Sequence, residues 1–237
     1  MNSKKSLIII IITTLLGGIS YLTFNPSEII KKPSRDKNYF ELFKTSAEHG
    51  NTVVPYHVGL MYYHGDGTTQ NYQKAFEWVK KSAEQGNAQA QHNLGFMYYH
   101  GKGTSKNYQK AFESFKKLAE QGEADAQYNL GLMYYHGKGT PKNMQKAFKW
   151  YKQAAEQGNA KAQYNLGATY YFGKGTTKNY QKAYTHFLIY DYLEKEKHTA
   201  NEYLNKLEQK LTPQAIINAQ NEADKMIQNF KRTYGDK

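Results

Sequence analysis

From Ala88 to His100 the apolar and small residues keep a helical rhythm. At 100° per residue Gln91, Leu94, Gly95 and Tyr98 share one face with Ala88 and Ala90 beside them, while Gln89, Asn93, Phe96 and His100 lie opposite. Gly101 and Gly103 end this helix. A second begins at Asn107, a side chain suited to accept from an orphan backbone N–H, buries Ala111, Phe115, Leu118 and Ala119, and stops at Gly122. The pattern then returns. Asn93–Phe112 and Asn129–Phe148 match at 17 of 20 positions, and the frame also falls on Gly59, Gly95, Gly131 and Gly167 at a period of 36. A fixed period of this size means stacked supersecondary units, each burying its apolar face on its neighbours. The expected fold is all-α: an α-solenoid of stacked antiparallel helix pairs closed by a C-terminal capping helix. Thr212 as N-cap, Pro213 in the first turn and the stripe Ile216, Ala219, Ala223, Met226, Ile227, Phe230 define that cap.

The recurring residues carry a family resemblance. Ala88 and Ala90, Leu94-Gly95, Tyr98, Gly101, Gly103, Lys110-Ala111, Ala119-Glu120 and Gly122 resemble the Sel-one-like repeat, a relative of the tetratricopeptide repeat. The resemblance extends from about Asn38 to Met226. Tyr39-Phe40, Ala47-Glu48 and Gly50-Asn51 supply an opening half repeat. Trp78 and Trp150 follow the family pattern in the second helix, but Ser114 and His186 replace it, so the second and fourth repeats are expected to pack differently there. The organisation expected is a targeting segment at 1–24, a linker at 25–37, the repeat array at 38–192 and capping helices at 193–237.

The amino terminus changes the picture of where the repeats work. Lys4 and Lys5 precede Leu7–Phe24, 18 residues without a charge. A basic region before an apolar one is the secretory pattern, and Gly18 and Ser20 suit cleavage after Ser20, although the length also touches the lower limit of a spanning helix. Either outcome engages the inner membrane or export machinery and delivers the array to the periplasm or cell envelope.

Composition narrows the chemistry. The chain has no cysteine, which excludes disulfides and thiolate metal sites, and a net charge of +12 favours acidic partners. No catalytic constellation emerges. Ser114–Lys117 and Ser34–Lys37 fit S-x-x-K, a signal of interest because some cysteine-rich relatives have been described as binding or hydrolysing β-lactams. The companion motifs are missing, and Lys102-Gly103-Thr104 has the wrong order for K-T-G. His64, His100 and His136 recur at one position, yet helices 8–10 Å apart cannot bring them to one ion, so neither a metal nor a cofactor is expected.

Two binding surfaces remain. As the resemblance to adaptors implies, the concave face of a solenoid takes another protein. Helix geometry assigns His57, Leu60 and His64; Gln89, Asn93, Phe96 and His100; Asp125, Asn129, Leu132 and His136; and Lys161, Asn165, Ala168 and Phe172 to the stripe opposite the core. These positions vary among repeats that are otherwise nearly identical. The alternative uses three lysine rows, Lys102, Lys138 and Lys174, Lys106, Lys142 and Lys178, and Lys110, Lys146 and Lys182, against an anionic polymer such as peptidoglycan or lipopolysaccharide. Nucleic acid is the weakest polymer partner, because no recognition helix or stacking platform accompanies the charge.

Overall fold

The computed structural model describes residues 37–49, 54–194 and 199–235. Among these, eleven α-helices and no strand occur. They fall into two compact units, Met1–Ser105 and Lys106–Lys237. The first holds α1 (Lys37–Glu48), α2 (Val54–His64), α3 (Tyr72–Glu84) and α4 (Ala88–His100). The second holds α5 (Tyr108–Glu120), α6 (Ala124–His136), α7 (Met144–Glu156), α8 (Ala160–Phe172), α9 (Tyr180–Glu194), α10 (Asn201–Glu208) and α11 (Pro213–Tyr234). Consecutive helices pack on one another from α1 to α4 in the first unit and from α5 to α10 in the second, where α11 returns to pack on α9. The targeting segment, the linker up to residue 36 and Gly50-Asn51 of the opening half repeat lie outside the described residues. Among the described residues no helix is long and apolar enough to cross a membrane.

The helix ends follow from local chemistry. Asn71, Asn107, Asn143 and Asn179 each accept a backbone N–H three residues on, at 2.8–2.9 Å, which satisfies one of the four donors a helix start leaves unpaired. Asn87 and Asn159 do the same for α4 and α8, whereas Glu123 makes no side-chain cap at α6. The capping helix begins as the sequence implies, with Thr212 accepting from the Ala215 amide at 3.2 Å. Its Ala219, Ala223 and Ile227 are buried, and Ile216, Met226 and Phe230 pack at the margin.

Two glycine positions bring elements unusually close. Gly131 lets α6 lie directly on α7: a Cβ there would stand 2.6 Å from the Tyr151 ring. Gly139, at φ +70, sits in the loop between α6 and α7, and a Cβ would overlap the Tyr108 carbonyl at the start of α5. Gly103 against Tyr72 and Gly175 against Met144 repeat the second arrangement. A third recurring contact is polar. The Gln91, Gln127 and Gln163 amides donate to the Ala83, Ala119 and Ala155 carbonyls at 3.0, 3.2 and 2.8 Å, tying the end of a second helix to the next first helix.

The buried set differs in detail from a one-face reading of the first helices. Ala88 is exposed and Leu94 half-buried, whereas Met61, Met97, Met133 and Thr169 are buried. Helices α2, α6 and α8 each contact the second helices before and after them within their unit, so their buried surface is wider than one stripe.

The fourth repeat repacks around His186, where Trp78 and Trp150 stand in others. The Gln163 amide N–H₂ is committed to Ala155, so its Oε1 accepts from His186 Nδ1 at 2.7 Å, and the ring lies parallel to Tyr170 with centroids 5.6 Å apart. Burial, with Lys182 and Lys152 nearby, pushes the imidazole down to about 3, so it folds neutral.

Two measurements follow from this packing. Gly139→Ala combines an unfavourable φ with a backbone collision and should cost about 2–4 kcal/mol, against about 1 kcal/mol for Gly122→Ala, where φ is +99 but the space is open; equal urea midpoints for the two would contradict the close approach. Because the folded pKa of His186 lies below its unfolded value of about 6.5, stability is complete above that pH and declines as pH falls toward 3. His186→Gln should flatten this decline by up to about 1.4 kcal/mol per pH unit. Unchanged slopes would mean that the ring takes up its proton while folded.

Candidate protein-binding grooves on the first helices

The first helices bring the predicted stripe residues together in two grooves. In the first unit a cleft of about 340 Å³ between α2 and α4 is lined by Leu60, Tyr63, His64, Val79, His92, Asn93, Phe96 and Met97. In the second unit a cleft of about 240 Å³ between α6 and α8 is lined by Leu132, Tyr135, His136, Tyr151, Asn165, Ala168, Thr169 and Phe172, with Lys174 and Tyr203 at its edge. These are the same site two repeats apart. Seven lining positions of one fall 72 residues after those of the other, from Leu60 and Leu132 to Met97 and Thr169. The linings differ where the stripe varies, with Phe96 in one groove and Ala168 in the other.

Nine of the fifteen stripe residues line these grooves: Leu60, His64, Asn93 and Phe96, and Leu132, His136, Asn165, Ala168 and Phe172. Phe96 and Phe172 are exposed at 41% and 48%, and His64 and His136 are exposed as well. Leu132 is half-buried in its groove rather than standing on open surface. Of the other six, His100 packs on Phe96 at 4.1 Å between ring centroids and His57 lies beside Phe43 at 6.3 Å. Gln89 and Lys161 are exposed, Asn129 is half-buried, and Asp125 accepts from the Asn159 amide at 2.8 Å.

Some stripe residues also hold the stack. Asn93 Nδ2 donates to the Tyr56 hydroxyl at 2.9 Å, and Asn165 hydrogen-bonds Tyr128 and Tyr151. Burial raises the pKa of Tyr56, Tyr128 and Tyr151, so all three phenols stay protonated and can serve as both donor and acceptor. Tyr63, Val79, His92, Met97, Tyr135, Tyr151, Thr169 and Tyr203 are lining residues that a helical wheel of the outward stripe misses. The recurrence of Tyr63 and Tyr135 at one repeat position was the available signal.

The lysine rows are partly internal to the protein's own packing. Lys102 lies over Tyr72 at 4.5 Å and Lys138 over Tyr108 at 5.1 Å. Lys146 and Lys182 cover Tyr134 and Tyr170 at 5.3 and 5.5 Å. Such cation–π seats fix the ammonium groups without neutralising them. Lys106, Lys110, Lys142 and Lys178 are exposed, Lys178 lying 5.9 Å from the centre of the Tyr180 ring. His136, at the end of α6, has its pKa lowered by burial and then by Lys138 and Lys142.

Comparison with known proteins agrees with this architecture. The Sel1 repeat model matches residues 56–87, 88–123, 124–159 and 160–189, more than half of the chain. Among solved structures, a protective antigen present in uropathogenic Escherichia coli strains and displaying an SLR fold is 36% identical with a TM-score of 0.72. The match covers 83% of this chain and 42% of the E. coli protein, so this chain spans less than half of that relative's length. A Sel1 repeat protein from Oxalobacter formigenes is 29% identical with a TM-score of 0.66, covering 82% of this chain and 80% of that one. A comparison with curated proteins finds no match.

Proposed function

Because the chain belongs to the Sel1 repeat family, whose members are typically non-enzymatic scaffolds for protein interactions, we propose that it is an exported scaffold that binds another protein through its first-helix grooves. The observation that carries this reading is the coincidence of variation with concavity. Positions that hold the stack, such as Gly59, Gly131 and Gly167 or the loop glycines, repeat unchanged, while the next position holds Leu60, Phe96, Leu132 and Ala168 in turn, three residue types in four repeats, and all four line a groove. Small clefts with apolar floors, flanked by the exposed Phe96 and Phe172 rings, suit side-chain anchors of a partner. Export is supported by Lys4, Lys5 and the uncharged run Leu7–Phe24, and by the description of the E. coli relative as a protective antigen.

The second reading, contact with an anionic envelope polymer, draws on the exposed lysines Lys106, Lys142 and Lys178. It receives less from the other rows, where several ammonium groups are already seated on tyrosine rings.

Two variants separate these readings. Phe96→Asp with Leu132→Asp should abolish capture of the envelope partner at both low and high salt, whereas Lys106→Glu with Lys142→Glu should leave it intact, both proteins first being checked for unchanged melting. Loss only in the lysine variant would overturn the groove reading in favour of the polymer. Fusing alkaline phosphatase after Asp36 tests export. An active enzyme is expected, and an inactive fusion would place the array on the cytoplasmic side.

A further inference from the structure

The helical carboxylates of the four repeats are segregated by helix, with Asp66 and Glu123 in the loops. Glu77, Glu84, Glu113, Glu120 and Glu156 all stand on second helices, while α2, α4 and α8 carry none. Helix α6 carries only Asp125, already held by Asn159. Helix stability does not ask for this, since acidic residues favour the first turn of any helix. The groove between α6 and α8 adds a specific cation. Lys174 is its one lysine, and the ammonium is held 3.1 Å from the Tyr135 hydroxyl and 5.1 Å from the centre of the Phe172 ring.

Lys174 reaches this groove for a local reason. Its equivalents Lys102 and Lys138 lie on Tyr72 and Tyr108. The corresponding residue for Lys174 is Met144, which offers no ring, and the ammonium turns to Tyr135 and Phe172 instead. An ammonium has three donors, and the Tyr135 hydroxyl occupies one. The lowered proton affinity of His136, due in part to Lys138 and Lys142, reports a positive field at the same groove.

Resting on the reading of the first-helix face as a protein-binding surface, we infer that this groove seats an acidic segment of the partner protein. An apolar side chain enters beside Leu132, Ala168 and Phe172, and a neighbouring carboxylate meets Lys174. The charge pair selects the partner, and the apolar floor supplies the contact area. A phosphate-bearing polymer would leave Leu132 and Ala168 uncovered.

The test uses a random peptide library displayed on phage, panned on the full chain and in parallel on three variants with unchanged melting: Leu132→Asp, Lys174→Glu and Met144→Tyr. Peptides selected by the wild type should combine an apolar residue with adjacent Asp or Glu, and representative members should lose roughly tenfold or more in affinity for Lys174→Glu. Met144→Tyr, which restores a ring for Lys174 to cover, should weaken the acidic preference while leaving apolar selection intact. Peptides that depend on Leu132 but carry no acidic preference would overturn this inference and leave the groove reading standing. Failure to select any peptide that depends on Leu132 or Lys174 would overturn the inference together with the binding role of this groove.

Discussion

Two backbones meet wherever the second glycine of an inter-helix loop faces the start of an earlier second helix. No side chain fits between Gly139 and the Tyr108 carbonyl, so the distance between successive helix pairs is fixed by main-chain atoms rather than by whichever side chains happen to pack. Other recurring features are arranged around that point. The lysine before Gly139 covers the ring of the same Tyr108 whose carbonyl the glycine meets, and Asn107 caps the helix one residue earlier. The repeat length is therefore a property of the loop as much as of the helices. One substitution in this cluster, Met144 where Tyr72 and Tyr108 stand in other repeats, moves a cation from packing duty into a groove.

The first-helix face is divided between cohesion and recognition. Asn93 and Asn165 bridge to tyrosine hydroxyls across neighbouring first helices, and the Gln91 series holds the ends of the second helices. Between these fixed points lie positions with no bridging duty, among them Leu60, Phe96, Leu132 and Ala168. Side chains there make none of the hydrogen bonds that bridge the first helices, so they can change without breaking those bonds. That separation lets one surface be both rigid and variable.

The period, the helix boundaries and the caps were legible in the sequence because each rests on local chemistry: asparagine before a helix, glycine after it, and a 36-residue recurrence of both. Helix α4 runs from Ala88 to His100 as the periodicity implies. Local chemistry could not reveal which half of a first helix is buried, since neighbours on several sides shift Met97 inward and leave Ala88 outside. Nor could it show that Asn93, an outward position on a helical wheel, meets Tyr56, a partner 37 residues away. The lysine rows were visible as charge, but their seats on tyrosine rings depend on the loop geometry. His186 was legible as a departure from tryptophan. Its bond to Gln163 was not, because the amide orientation is set by a third residue, Ala155.

The reuse of one cap type and one loop lock makes the junctions between periods chemically interchangeable. A crossover within the near-identical stretches Asn93–Phe112 and Asn129–Phe148 would add or remove a whole period while preserving the asparagine, the glycines and the glutamine that each junction needs. The reading surface can thus lengthen or shorten by recombination in a single event, and point mutation at the groove positions can then adapt the new period to its partner.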